Sequence, residues 1–315
     1  MTFLFILLLA LAIDLLLGEP PRAVHPVVWM GKIISFGERF APSESSEESG
    51  TLPRLLYGGV MALLIICLFT SPVYFLLRYI NELGPIAYVI VGALLLKPTF
   101  SFRELRRTAL EIKTLLADDN LKKTQSKMPA LISREARTME KPALVSATIE
   151  SVAENVSDSF VAPVFYFLLF GVPGAIAYRV VNTLDAMIGY HGKYEYLGKV
   201  AARLDDILNF IPARISGLLL VIAARLGKKD SRNAWRIMLR DHGKTESPNA
   251  GWPMSAMAGA LRARLEKAGC YSLGEVNTPL SPQLITSGVK LVDISAILWV
   301  SLSLFMGVTY FVFVA

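Results

Sequence analysis

The polar residues of this chain gather at the borders of its apolar stretches, and several of these gatherings have the makings of phosphate and carboxylate chemistry. Glu150, Glu154 and Asp158 recur at i, i+4 and i+8 with Asn155 beside them, so a helix presents three carboxylates on one face. Like charges stacked this way call for a cation, and a hydrated Mg²⁺ held by one or two carboxylates plus substrate phosphates would answer. A solvated acidic face balanced by nearby bases is the plainer alternative. Arg179, Asn182, Thr183 and Asp185, followed by Gly189-Tyr190, close an apolar run. Ionisable groups facing inward at such a boundary are functional candidates, although an arginine there also serves as an interface anchor. Arg203, Asp205, Asp206, Asn209 and Arg214 form a third set, an aspartate pair between two guanidinium groups. Ser247-Pro248-Asn249-Ala250-Gly251-Trp252-Pro253 is a stiff loop between helical stretches. Its backbone N–H groups can hold an anion, or it is a plain interhelical turn. Near the start, His25-Pro26 and Trp29 follow the proline-rich Gly18-Glu19-Pro20-Pro21, a stiff loop at a membrane surface.

The elements that must position these groups are mostly apolar helices. Of 315 residues 53% are hydrophobic and 18% charged, against about 25% charged in soluble domains. The apolar runs are 2–17 (interrupted by Asp14), 55–80, 84–96, 159–181, 213–224 and 291–315. Residues 2–17 lack a basic leading region and a small-residue cleavage site, so they read as a retained membrane segment. Segment 43–50, Ser-Glu-Ser-Ser-Glu-Glu-Ser-Gly, reads as a flexible surface loop. Segment 97–158 is polar and helical, with Phe102, Leu105, Ala109, Ile112 and Leu116 on one apolar face. The fold expected is all-α: a polytopic integral membrane protein, one domain over 1–315, with broken or re-entrant central helices and large polar helical loops. Two cysteines and three scattered histidines give neither a disulfide framework nor a zinc site. The +6 net charge carries no nucleic-acid-binding signature.

Basic residues set the orientation. Segment 97–158 has eleven Lys or Arg and 225–267 has ten, so both are expected in the cytoplasm. Segment 182–211 has three, which on that count favours an external loop. Chemistry argues the other way, because a straight helix over 159–181 would hold Asp158 and Asn182 about 35 Å apart. Gly171-Val172-Pro173-Gly174 can reverse the chain at mid-depth. The expectation is therefore a re-entrant hairpin over 159–181, a non-spanning or tilted 213–224, four true spans, and every polar cluster on the cytoplasmic side of a cell membrane.

Taken together the motifs resemble the CobD/CbiB family of cobalamin biosynthesis. The residues that carry the likeness are Asp14 to Gly18, His25-Pro26-Val27 with Gly31, Glu150 with Glu154-Asn155 and Asp158, and Ala162-Pro163. Gly171-Val172-Pro173-Gly174, Tyr178-Arg179, Asn182-Thr183-Leu184-Asp185, Gly189-Tyr190, Asp205-Asp206, Pro212-Ala213-Arg214 and Ser247 to Pro253 complete it. The chain departs from the family around Arg134-Glu135, where the guanidinium and a carboxylate are kept, and at Met254 after Trp252-Pro253. The resemblance implies an ATP-dependent acid–amine ligase. It would join adenosylcobyric acid to (R)-1-amino-2-propanol or its phosphate, with Mg²⁺, a corrinoid as substrate, and other membrane proteins of the pathway as partners besides lipid. It implies catalytic roles for Glu150, Glu154, Asp158, Asp185, Asp205 and Asp206, with Glu154, Asp158, Asp185 and Asp205 as metal ligands. Substrate contacts fall to His25, Arg134, Asn155, Arg179, Asn182, Thr183, Tyr190, Arg203, Asn209, Arg214, Ser247, Asn249 and Trp252. A transporter and a non-catalytic membrane sensor or regulator are the competing readings.

Overall fold

The computed structural model describes residues 2–42, 51–132 and 134–314; the acidic segment 43–50 lies outside them. The chain is helical: α1 Thr2–Leu17, α2 Pro26–Glu38, α3 Thr51–Glu82, α4 Pro85–Leu96, α5 Phe102–Ala117, α6 Leu121–Lys127 and α7 Lys141–Val156. A π-helical turn, Ser157–Val161, leads into α8 Ala162–Ile188. Then follow α9 Lys199–Leu226, α10 Ser231–Asp241, α11 Gly251–Leu261, a hairpin of β1 Leu265–Lys267 and β2 Tyr271–Leu273, and α12 Pro282–Val314.

Among the described residues five helical stretches are long and apolar enough to cross a membrane: Thr51–Glu82, Pro85–Ala117, Lys141–Ile188, Lys199–Leu226 and Pro282–Thr309, with α1 a shorter apolar helix. Only 22% of the apolar window of α3 is buried by protein. Leu56, Val60, Leu63, Leu64 and Phe75 on it stay exposed, and so much apolar surface is stable only against lipid.

The described residues pack as two compact units. The first comprises residues up to Ser101, Ala162–Leu208 and the end of α12 from Gly307; the second comprises Phe102–Val161 and Asn209–Met306. In the first unit α1 packs on α4, and α8 packs on α2 and α3. Close approach depends on glycine: a Cβ on Gly58 of α3 would lie 2.0 Å from the Leu197 carbonyl oxygen. The second unit has a core of Leu105, Ala109, Ile112 and Leu116 from α5 with Leu144, Val145 and Val152 from α7 and residues of α10, α11 and α12. The apolar face expected on 102–116 is thus its wall.

The expected reversal in 159–181 is present. Gly171 has φ 68° and ψ −163°, non-helical inside α8 and in a region that only glycine populates readily. The rings of Tyr166 and Tyr178 stack with centroids 5.3 Å apart. In a straight helix twelve residues span about 18 Å, so the two arms fold back on each other. Pro173 begins the second arm, where a missing N–H costs little.

One expectation is overturned. Residues 213–224 are not a separate short segment: they end the 28-residue helix α9, about 42 Å long at 1.5 Å per residue and ample for a crossing. Pro212 lies inside the helix without ending it, and the polar residues 199–212 form its first half. A count of four spans therefore understates the helices able to cross.

Candidate active site

In the second unit, Glu150 is buried on α7, 4% exposed. Burying a carboxylate is costly unless donors surround it, and three do. Ser146, one turn earlier, donates to Oε1 at 2.6 Å; Arg134 Nη2 and the Tyr271 hydroxyl donate to Oε2 at 3.1 and 2.8 Å. Ser146 Oγ also accepts the Glu266 backbone N–H at 2.9 Å, so the β-hairpin is fastened to α7 at two points. Burial, then the neighbouring carboxylate of Glu150, push the Tyr271 phenol well above its ordinary pKa, so it stays a donor. Arg134, Glu150, Glu154, Lys267 and Tyr271 line an open cleft of about 140 Å³.

The expected row of three carboxylates holds for two. Glu150 and Glu154 share the cleft, but the α-helix ends at Val156 and Asp158 lies in the π-turn, whose wider i→i+5 spacing breaks the register. Asn155 is engaged within its own helix: its Nδ2 donates to Ser151 O at 2.9 Å and its Oδ1 accepts from Ser159 at 3.4 Å.

The same unit brings together residues of two expected motifs. The Arg214 guanidinium carbon lies 3.5 Å from the Phe210 ring centroid and 4.7 Å from that of Trp252. Trp252 stacks in turn on His242 with centroids 4.0 Å apart. Arg214 Nη1 donates to Asn249 Oδ1 at 3.5 Å. Ser247 shapes the loop, its Oγ accepting the N–H groups of Asn249 and Ala250 at 3.2 and 3.3 Å. Asn209 is buried on α9.

In the first unit a polar chain joins the second arm of α8 to α9. Arg179 Nη1 donates to Asn182 Oδ1 at 3.2 Å, and Asn182 Nδ2 donates to Asp205 Oδ1 at 3.4 Å. The Thr183 hydroxyl is turned back to the Arg179 carbonyl at 2.7 Å. Asp185 folds against its own chain, where a Cβ on Gly189 would lie 2.1 Å from its Oδ1. Arg203 pairs with Asp206 at 3.4 Å on an exposed face, and Tyr190 is exposed.

His25, expected to contact substrate, is used internally. Its Nδ1 accepts the Val27 N–H at 3.2 Å and caps α2, and its Nε2 meets Glu19 at 3.0 Å. Glu19 also binds Lys97 at 2.7 Å, and Lys97 pairs with Asp14 at 3.0 Å. Lys97 and Asp14 are 3% and 1% exposed. Burial works to raise the pKa of Glu19, but the hydrogen bonds from His25 and Lys97 prevail and hold it below the usual carboxylate range.

Sequence reasoning passed over Ser146, Tyr271 and Lys267 of the cleft and Lys97 of this network. An aspartate inside an apolar run and a lysine at the end of another could have signalled the second pair. Nothing local marks Tyr271, which meets Glu150 across 121 residues.

Among the described residues no three His, Cys, Asp or Glu converge to hold a metal ion, so the four expected ligands form no all-protein cage. A magnesium ion that keeps its waters and binds substrate phosphate needs only one or two carboxylates. Asp205, linked through Asn182 to a guanidinium, has the chemistry for that smaller task.

The family model described as "CobD/Cbib protein" matches residues 7–298. The chain is 50% identical over 315 residues, the full length of both proteins, to "Cobalamin biosynthesis protein CobD" of Dehalococcoides mccartyi. It is 40% identical over 295 residues, 93% of this chain and 94% of the relative, to "Probable cobalamin biosynthesis protein CobD" of Methanothermobacter thermautotrophicus. The same name belongs to a relative from Methanocaldococcus jannaschii, 36% identical over 296 residues, 93% of this chain and 95% of that one. No solved structure matches. A predominantly helical membrane fold, motifs spread from Asp14 to Pro253 and likeness over nearly its whole length agree: the chain belongs to the CobD/CbiB family of cobalamin biosynthesis proteins.

Proposed function

We propose that this chain is an ATP-dependent ligase of the cell membrane that joins adenosylcobyric acid to (R)-1-amino-2-propanol or its phosphate. The single observation that carries the reading is the cleft in which Glu150 and Glu154 face Arg134, Lys267 and Tyr271. Amide formation needs a place for an amine, a group to take its proton, and cations for developing negative charge. In the proposed reaction a propionate oxygen attacks the γ-phosphorus of ATP and ADP leaves, giving an acyl phosphate. The amine nitrogen then attacks the acyl carbon, inorganic phosphate departs, and the nitrogen loses a proton. Both oxygens of Glu150 already accept hydrogen bonds, so it serves to hold Arg134 and Tyr271 in place. Glu154 is assigned the ammonium and its proton. Arg179 and Arg214 are assigned anionic substrate groups, for which a planar fork of N–H donors is suited. Magnesium, when bound, would shield the phosphate charge, with Asp205 as its protein ligand. Because ATP is cytoplasmic, the reaction is assigned to that face.

The test is amide formation by purified protein in lipid nanodiscs, supplied with adenosylcobyric acid, Mg-ATP and either acceptor, with product read by mass spectrometry. Product from the wild type, and a loss on the order of 100-fold in Glu154→Gln, are expected. No product from the wild type would rule the ligase out.

A further inference from the structure

We infer that α2 carries a site for an anionic phospholipid, with the headgroup phosphate between Lys32 and Arg39 and the acyl chains against Phe36 and Met187. The groove that forms it lies in the first unit, whereas the Glu150 cleft lies in the second.

The sequence of α2 divides its residues between two faces. Met30 and Ile34, one turn apart, are buried, and the helix packs on α8 and α3. Trp29, Lys32, Phe36, Arg39 and Phe40 follow at i, i+3, i+7, i+10 and i+11, a single stripe of the helix, and all five are exposed. The three rings are 44%, 59% and 62% exposed, a poor surface for water. Rings alternating with cations are the composition of a helix that lies in the headgroup layer. The indole N–H of Trp29 is already spent on the Ala23 carbonyl at 2.9 Å, so the ring offers lipid its apolar surface. Loop 18–25 joins α2 to the apolar helix α1, so the stripe follows directly on an apolar segment.

Beside the stripe runs an open groove of about 450 Å³, within the roughly 300–1,000 Å³ of small-ligand sites. Its lining is polar at Lys32, Ser35 and Arg39 and apolar at Val28, Phe36 and Met187. Lys32 and Arg39 stand two turns apart, about 10 Å along the axis, a gap that two long side chains close on one phosphate over Ser35. Among the described residues neither cation makes a salt bridge. The nearest carboxylate in sequence, Glu38, is held by Lys193 and Tyr194 at 2.7 and 2.8 Å.

That lining selects among ligands. A soluble phosphate would use the two cations and leave Val28, Phe36 and Met187 bare. A zwitterionic headgroup would bring its own cation to Lys32 and Arg39 and gain less. An anionic phospholipid answers both halves of the groove, the phosphate end and the apolar end.

Native mass spectrometry of the full chain tests this, after exchange in detergent with equimolar phosphatidylglycerol and phosphatidylcholine of matched acyl chains. The wild type should retain phosphatidylglycerol at least about fivefold over phosphatidylcholine, the gain expected from one cation at a membrane surface. Lys32→Gln combined with Arg39→Gln should bring the ratio close to one. Lys32→Arg combined with Arg39→Lys, which keeps both charges, should preserve most of it. Both side chains are exposed, so these variants keep the packing of α2. Phe36→Ala should lower the retention of both lipids alike. A ratio near one in the wild type, or an unchanged preference in the neutralised variant, would overturn the site. Displacement of the lipid by millimolar inorganic phosphate would assign the groove to a soluble anion and overturn it as well.

Discussion

The hydroxyl of Tyr166 donates to the carbonyl oxygen of Leu208 at 2.8 Å, and Leu208 stands four residues before Pro212 in α9. In an unbroken helix that carbonyl would accept the N–H of residue 212, which proline lacks. A tyrosine on the folded-back arm of α8 thus supplies the donor that the helix lost. Tyr166→Phe should cost about 1–3 kcal/mol by orphaning the carbonyl. Pro212→Ala restores the internal donor, so the double variant should recover most of that loss. Unfolding in detergent measures all three; an equal cost of Tyr166→Phe in both backgrounds would disprove the exchange.

Gly171 is the residue on which the reversal turns. Alanine there must adopt φ 68° with ψ −163°, at about 1–3 kcal/mol. Gly171→Ala should lower the thermal midpoint and separate spin labels placed at positions 166 and 178, in a background lacking Cys67 and Cys270. Unchanged label distances would show that the fold-back does not depend on glycine.

Arg214 lies over the rings of Phe210 and Trp252, a contact that suits guanidinium better than ammonium. Arg214→Lys keeps the charge but loses both the stacking and the fork. The KM for the anionic substrate should rise about tenfold, equivalent to about 1.4 kcal/mol, with kcat less affected. Wild-type kinetics in the lysine variant would reduce Arg214 to an interface anchor.

Asp241 gives a pH prediction. Its buried carboxylate accepts from Arg240 Nε and Nη2, from Lys244 and from the Gly274 N–H, all between 2.6 and 2.8 Å. Burial alone would raise its pKa, but these donors bring it down to about 2 from the ordinary 3.8. A depressed acid stabilises the fold above its unfolded pKa. The contribution, roughly 2 kcal/mol at 1.36 per unit, is therefore whole above about pH 4 and lost as pH falls toward 2. Asp241→Asn should be less stable at neutral pH and lack that acid-side loss. Parallel acid titrations of the two proteins would contradict this.

The membrane helices were legible because lipid demands long apolar runs, and the reversal was legible because Gly171 and Pro173 interrupt one. The polar chain Arg179–Asn182–Asp205 and the Arg214–Asn249–Trp252 group were legible residue by residue, but each joins residues of two separate motifs, a pairing that only the fold makes. The continuity of α9 was not, because the compensation for Pro212 comes from Tyr166, 46 residues earlier in sequence. The π-turn that carries Asp158 is a local feature that periodicity cannot foresee. Tyr271 and Lys267 were missed because a short hairpin with no apolar alternation leaves little trace in sequence, although it closes one wall of the cleft.

The two bonds of His25 have a consequence for its proton. Because the Val27 N–H points at Nδ1, that nitrogen must present a lone pair, and the hydrogen of the neutral ring resides on Nε2, directed at Glu19. The imidazole is thereby confined to one tautomer, with its basic lone pair already spent on the first turn of α2. Placing a second proton on the ring, at Nδ1, would therefore uncap that helix.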